Sequence, residues 1–223
     1  LYSKVRYDPL KDFAPVHALS ETSTIMVVNA SRPYKTVKEL VEYAKQHPGK
    51  VNFGSAGAGT GTHLSAELFQ ASAGIKLTHI PYKGSSPAIN DLLGGTVDVM
   101  FDYPSIVLPF IQSGKLRALA TTGKDRLELL PNVPTIAESG VPGFRASTWF
   151  GIAVPAGTPA DARNTLQAAV NKVMLNPEFA SALGNQTLAA RKPQTQAQLD
   201  DFLAADGQMW RKVIADNAIA LEN

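Results

Sequence analysis

Val51-Asn52-Phe53-Gly54-Ser55-Ala56-Gly57-Ala58-Gly59-Thr60-Gly61-Thr62-His63-Leu64 divides into three parts. Val51 to Phe53 is a short apolar run of strand character. Glycines at 54, 57, 59 and 61 then alternate with Ser55, Thr60 and Thr62. From Leu64 onward, Leu64, Leu68 and Ala71 recur at helical spacing. The stretch predicts strand, glycine-rich loop and helix. In an open α/β sheet such a loop lies at the carboxyl edge of the strands, where ligands bind. Glycines let the backbone approach a ligand closely, and the first helical turn offers unpaired N–H groups at the positive end of the helix dipole. That chemistry suits an anion, most simply a carboxylate or phosphate. The plainer reading is a tight turn joining strand to helix.

The loop matches neither nucleotide signature. A phosphate loop ends in Gly-Lys-Ser/Thr, and no lysine falls between Lys50 and Lys76. A dinucleotide loop needs glycine three places after Gly59, where Thr62 stands. No acidic residue lies about twenty positions on to hold a ribose, Asp91 being too distant.

Around this centre the chain alternates strands and helices. Ile25–Val28 reads as a buried strand. Thr36-Val37-Lys38-Glu39 is a capping box opening a helix with Val37, Leu40, Val41 and Ala44 inward, ended by Pro48-Gly49. Residues 76–80 read as a strand, and Pro87 opens a helix stopped at Gly94-Gly95. Residues 97–101 form a strand ending at Asp102, followed by a helix over 105–111 and a strand over 116–121. Residues 123–146 are irregular. Residues 149–154 are a strand, and Thr158-Pro159 caps a helix with Leu166, Ala169, Val170 and Val173 inward. A shorter helix, a short strand at 188–191 and a last helix begun by the Thr195/Gln198 capping box complete the order. Residues 1–24 read as a connecting stretch with a short strand at 16–19. The class is α/β with mostly parallel strands and flanking helices.

Composition narrows the function. The chain has 223 residues, 44% hydrophobic and 18% charged, with net charge +2, and that charge is spread along it, so nucleic acid is not an expected partner. Cysteine is absent, which removes thiol catalysis, disulfides and thiolate metal sites. No apolar run reaches membrane-spanning length. Leu1-Tyr2-Ser3-Lys4 is not the charged start of a signal peptide, and the opening without methionine leads us to expect an N-terminal portion outside this sequence.

Five phrases occur in order: Tyr7-Asp8-Pro9-Leu10-Lys11-Asp12-Phe13-Ala14-Pro15-Val16; Gly54-Ser55-Ala56-Gly57-x-Gly59-Thr60 with His63-Leu64; Ile80-Pro81-Tyr82-Lys83-Gly84; Asp91-Leu92-Leu93-Gly94-Gly95-x-Val97-Asp98-Val99-Met100-Phe101; and Phe150-Gly151 with Pro155-Ala156-Gly157-Thr158-Pro159. Together, over nearly the whole chain, they resemble the Bug family, the extracytoplasmic solute receptors of tripartite tricarboxylate transporters. The resemblance implies a two-lobed type II periplasmic-binding-protein fold, with residues 1–28 and 149–223 in the first lobe and 29–148 in the second. It implies a small carboxylate held in a cleft between lobes and passed to membrane transporter subunits by a periplasmic, monomeric receptor that has no cofactor and no metal and is not an enzyme. Absence of cysteine suits that compartment. Family members begin with a strand and a glycine-rich loop that also holds the ligand, and no such stretch precedes Tyr7. A first lobe without it would leave apolar sheet surface uncovered.

The candidate ligand-binding residues are Ser55, Gly57, Gly59, Thr60, Thr62, His63, Tyr82 and Asp102. Backbone N–H groups and hydroxyls of the first five suit a carboxylate. Against each stands a structural role: helix capping for Thr62, capping or plain exposure for His63, N-capping of the next helix for Asp102. The resemblance places Asp102 toward the ligand's amino or hydroxyl group. Lys83 reads as a solvated loop lysine, and Trp149 and Phe150 as packing. Two alternatives belong to other classes. One is a phosphate- or nucleotide-binding module. The other is a Ser-dependent hydrolase built from Ser55, His63 and Asp102, although Gly54-Ser55-Ala56-Gly57 is not the Gly-x-Ser-x-Gly elbow.

Overall fold

Ile25-Met26-Val27-Val28 is buried at every side chain because it runs through the middle of a sheet. In the computed structural model, which describes residues 6–216 and Ile219, the chain divides into two compact units. One comprises residues 23–148 and the other residues 1–22 with 149–223. Residues 1–5, 217, 218 and 220–223, expected in the first lobe, lie outside the described residues.

The 23–148 unit contains β2 (Ile25–Asn29), α1 (Val37–Gln46), β3 (Asn52–Ser55), α2 (Gly61–Ala73), β4 (Thr78–Pro81), α3 (Ser85–Gly94), β5 (Val99–Asp102), α4 (Pro104–Gln112) and β6 (Leu116–Thr121). Its sheet has the order β4-β3-β5-β2-β6. β3 pairs parallel with β4 and β5, whereas β2 is antiparallel to both β5 and β6. So β3, β4, β5 and β6 all run one way and β2 alone runs the other. The expected direction holds for those four strands. The sheet is nonetheless mixed, because β2 sits between two of them. Ile25–Asn29 is bonded into this sheet, and this compact unit begins at Ser23.

Ile25 and Val27 of β2 join Ala88, Ile89, Leu92, Val97, Met100, Val107 and Leu116 in one apolar cluster under α3 and α4. On α2, Phe69 meets Phe101 and Phe144 edge-on or tilted. The helix starts follow the sequence signals. Thr36 caps α1, its Oγ1 accepting from Glu39 N–H at 3.2 Å, while Glu39 Oε2 accepts from Lys35 N–H at 2.5 Å. α3 begins two residues before Pro87, capped by Gly84.

The other unit contains β1 (Phe13–Thr22), β7 (Thr148–Pro155), α5 (Ala160–Met174), α6 (Pro177–Asn185), β8 (Ala189–Ala190) and α7 (Gln196–Asp216). Thr148, the first residue of β7, falls in the 23–148 unit. Its sheet has the order β7-β1-β8, with β1 and β8 antiparallel. β1 is much longer than the strand expected at 16–19. Its inward positions include Ala14, Val16, Ala18, Ser20 and Thr22, a period of two written mostly in small residues.

α5 also differs from expectation. Leu166 and Val173, expected inward, are exposed. The helix instead turns Gln167 toward β1, where its Nε2 donates to Val16 O at 3.3 Å, and buries Met174. Trp149 packs edge-on against Phe202 of α7 and donates from Nε1 to Asp206 Oδ2 at 3.0 Å, while Phe150 and Ile152 of β7 are exposed.

Candidate functional site

Strands β3, β4 and β5 run in one direction, and each is followed by a helix: α2, α3 and α4 respectively. The N-termini of all three helices therefore lie along one edge of the sheet. From β3 the chain crosses by α2 to β4 on one side, and from β5 it crosses by α4 to β6 on the other. The point where these connections diverge, between β3 and β5, is the topological switch point at which open α/β sheets bind ligands.

The glycine-rich loop occupies that point. Gly57 and Gly59 have φ values of 132° and 76°, a backbone region that side chains other than glycine's rarely adopt. Its N–H groups are mostly satisfied within the loop. Gly57 N–H donates to Ser55 Oγ at 3.2 Å, Ala56 N–H to Thr62 Oγ1 at 2.9 Å, and Gly59 N–H to His63 Nδ1 at 3.0 Å. The hydroxyl protons are also assigned. Thr60 donates to Gly57 O at 2.7 Å, so at the 2.8 Å contact between Thr60 and Thr62 the Thr62 hydroxyl donates. Thr60, not Thr62, caps α2. These bonds make the loop rigid but consume the amides that the sequence offered to an anion. The donors left at the helix start are the first-turn N–H groups of Gly61 and Thr62, which have no intrahelical acceptor. The neighbouring loop between β4 and α3 clamps the same segment. Tyr82 N–H donates to Ser55 O and Gly84 N–H to Ala56 O, each at 3.1 Å.

Beneath the loop sits a buried aromatic and polar stack. His63 and His79 lie ring on ring at 4.0 Å between centroids, and Phe53 stacks on His79 at 4.6 Å. His63 is buried, with Nδ1 accepting from Gly59 and Nε2 3.4 Å from Glu67 Oε1. Both its ring nitrogens are thus engaged inside the protein, so His63 is turned away from the donor role toward a ligand that the sequence allowed. Ser55 Oγ is 2.7 Å from His79 Nε2 and is fully buried. Burial, then the neighbouring His63, pushes the His79 pKa down to about 4, against a smaller pull from Glu67. Glu67 also bonds Gln70. Burial there pushes its carboxyl up, but bonds from His63 and Gln70 outweigh it and hold the carboxyl below the usual glutamate value.

At the end of β5, Asp102 is fully buried. Its Oδ1 accepts from Tyr103 N–H at 2.8 Å, and its Oδ2 has no hydrogen-bond partner. Burial pushes this carboxyl up, against smaller pulls from the Ser85 hydroxyl and the Tyr103 N–H. Asp102 does not cap α4; that position is Tyr103, which makes no side-chain cap bond. The Tyr103 hydroxyl donates to Thr148 Oγ1 at 3.3 Å. Both hydroxyls crowd Gly61: a Cβ there would lie 2.6 Å from Thr148 Oγ1 and 2.8 Å from Tyr103 Oη. Tyr82 contributes main chain only. Its hydroxyl donates to Asp91 Oδ2 at 2.6 Å, and burial with that carboxylate raises its pKa to about 12.

The structure thus gathers Ser55, Gly57, Gly59, Thr60, Thr62 and His63 in one loop with Tyr82 beside it, while Asp102 stands at the end of the adjacent strand. Sequence reasoning missed His79, Gly61, Tyr103 and Thr148. The alternation at 76–80 placed His79 on a strand, but what it faces follows from the parallel register Phe53↔His79, which no local pattern carries. Among the described residues no cluster of three or more His, Cys, Asp or Glu side chains is placed to hold a metal.

An α/β chain with an anion-suited loop at a sheet switch point has the architecture of a ligand-binding α/β protein. A family described as "Tripartite tricarboxylate transporter family receptor" matches residues 1–219, and the chain belongs to that family. A protein of Pseudomonas sp. (strain P51), "UPF0065 protein in tcbD-tcbE intergenic region", is 38% identical over 219 residues, which are 96% of this chain and 64% of the relative. The chain therefore spans less than two thirds of that relative's length. Among solved structures, "R. palustris Rpa4515 with adipate" is similar with a TM-score of 0.89 at 32% identity, over 100% of this chain and 74% of the other. "MatC (Rpa3494) from Rhodopseudomonas palustris with bound malate" is similar with a TM-score of 0.83 at 29% identity, over 96% and 74%. The type II periplasmic-binding-protein fold and the Bug-type resemblance expected from the five phrases agree with these findings.

Proposed function

We propose that the protein is an extracytoplasmic receptor that captures a small carboxylate and delivers it to the membrane subunits of a tripartite tricarboxylate-type transporter. The observation that carries this reading is the start of α2 at the sheet switch point, where the N–H groups of Gly61 and Thr62 and a helix dipole face a position held by a rigid loop. Relatives of the same family hold adipate and malate, both dicarboxylates. On this reading the protein works in the periplasm as a monomer, without cofactor, metal or nucleic acid. Thr60 and Thr62 shape the loop. Asp102, with a buried oxygen lacking a partner, receives a donor group of the ligand or carries a proton itself.

No catalysis is proposed. A nucleophile must reach a substrate, and Ser55 Oγ is fully buried between His79 and the Gly57 N–H. His63, the base the sequence offered, bonds Gly59 and Glu67 instead of Ser55.

Isothermal titration with adipate, malate, citrate and inorganic phosphate tests the reading. Saturable binding of a carboxylate, with phosphate silent, is expected. Binding of phosphate alone would move the protein to the phosphate-binding class, and ester turnover lost in Ser55→Ala would revive hydrolysis.

A further inference from the structure

We infer that His63 is a pH-sensitive latch on the ligand loop: the loop keeps its binding shape only while the His63 ring is neutral with its proton on Nε2. This deepens the carboxylate-receptor reading above and rests on it for the ligand, though not for the latch itself.

The geometry fixes the tautomer. Gly59 N–H can only donate, so His63 Nδ1 at 3.0 Å must present a lone pair. The single proton of a neutral ring then sits on Nε2 and faces Glu67 Oε1 at 3.4 Å. A second proton on the ring has one place to go, Nδ1, and there it would point at the Gly59 N–H. Protonation therefore exchanges a hydrogen bond for a donor–donor conflict at a glycine with φ of 76°, the residue beside the Thr60 cap of α2. The loop segment Gly57–Thr60 must move for the conflict to be relieved, and with it the start of α2.

Several groups face the His63 ring. Glu67 faces it from its own helix, and its bond to Gln70 keeps that carboxylate in place. From β4 comes His79, stacked at 4.0 Å, and from β3 come Phe53 and, through His79, Ser55, neither of which titrates. Two stacked rings do not both take a proton in a buried site. Of the two, His63 has the carboxylate partner. His79 is held neutral down to about pH 4 by burial and by His63, and it anchors Ser55, whose Oγ accepts from Gly57 N–H. The two histidines thus hold the two glycines of the loop with positive φ, one directly and one through a serine. A receptor with such a latch releases its carboxylate as the medium acidifies, although an added positive charge near the site would by itself strengthen the attraction for an anion.

Two measurements test it. In the unliganded protein, imidazole ¹⁵N NMR should show His63 with Nε2 protonated and Nδ1 bare, and the Gly59 amide resonance should follow the His63 titration. An Nδ1-protonated ring, or a Gly59 amide that ignores the titration, would overturn the latch whatever the ligand is. Adipate affinity is then compared between about pH 8 and pH 5, the range where histidine charges. His63→Asn keeps an acceptor near the Nδ1 position without the titration, and serves as the control for protonation of adipate itself. Wild type should lose about tenfold more affinity than His63→Asn on acidification, the equivalent of one hydrogen bond. His63→Leu should bind weakly at both ends. Wild type that tightens relative to His63→Asn on acidification would sink the proposal. If adipate and the other acids fail to bind at any pH while Gly59 still follows His63, the carboxylate reading falls and the latch stands.

Discussion

At the scale of single residues, the buried Asp102 carboxyl is the clearest source of strain in the site. Its Oδ2 is buried without a partner, and burial raises its pKa above the ordinary 3.8. A carboxyl raised in the folded state costs stability above its unfolded pKa, and that cost disappears as pH falls below it. Asp102→Asn should therefore raise stability at pH 7 by about 1 kcal/mol, and the gain should vanish near pH 4. Urea denaturation at the two pH values reads this directly, and a loss of stability at pH 7 would show that the charge has a partner. A second residue-scale test is Gly61→Ala. Alanine is a good first-turn residue, but its Cβ would lie 2.6 Å from Thr148 Oγ1 and 2.8 Å from Tyr103 Oη. Carboxylate affinity should fall at least tenfold, with a midpoint shift equivalent to less than about 2 kcal/mol, because the atoms met are the ends of two side chains rather than backbone. Equal affinity would detach the start of α2 from the site. These residues also show where the sequence was legible. Glycine and hydroxyl density marked the loop, since residues other than glycine rarely adopt the φ values at 57 and 59. The division of labour was not legible: which N–H groups the loop consumes depends on Thr62 and His63 folding back from α2, and on β4 bringing His79 under Ser55.

At the scale of elements, helix ends were readable because caps are local chemistry. Thr36, Thr60 and Thr195 each accept from the N–H three residues on, at 3.2, 3.4 and 3.3 Å. The stop of α2 is equally local. Gly74 adopts φ of 62°, and no atom lies within 4 Å of where its Cβ would stand. Gly74→Ala should thus cost only the backbone term, about 1 kcal/mol in a urea titration, with ligand affinity unchanged. A much larger cost would mean that the end of α2 packs more tightly than its open surroundings indicate. Strand and helix faces were harder to read where the buried residues are small or polar. β1 buries Ala14, Ala18, Ser20 and Thr22, so its alternation carries almost no hydropathy signal. α5 seats Gln167 on a strand carbonyl and exposes Leu166 and Val173, which reverses the face that apolar spacing selects. The antiparallel course of β2 was likewise invisible, because strand direction is set by pairings across more than seventy residues of sequence, such as Ile25↔Asp102.

At the scale of the whole molecule, titratable burial is concentrated in the 23–148 unit, and this predicts an acid response that is uneven along the chain. His79 binds its proton at about pH 4 when folded and near 6.5 when unfolded. The unfolded chain therefore takes up the proton first, and stability falls as pH drops from about 6.5 to about 4. At about 1.4 kcal/mol per unit the loss approaches 3 kcal/mol, less what solvent screens at the partly exposed ring. Glu67 acts in the same direction at lower pH: its folded pKa is depressed, so the stability it contributes is lost as pH falls through that value. Asp102 opposes them, because its folded pKa is raised and the cost of its buried charge is relieved as pH falls toward 3.8. Both tryptophans, Trp149 and Trp210, belong to the other unit. Urea unfolding at pH 7 and pH 4.5 should accordingly show a larger acid shift by amide exchange of β3, β4 and α2 than by tryptophan fluorescence. His79→Gln, which keeps a polar partner for Ser55 without the titration, should flatten the slope in the exchange data and leave the fluorescence transition where it was. If the two probes move together, the units unfold as one cooperative body, and the His79 variant still decides whether this ring is the source. An unchanged slope in that variant would assign the acid sensitivity elsewhere in the chain.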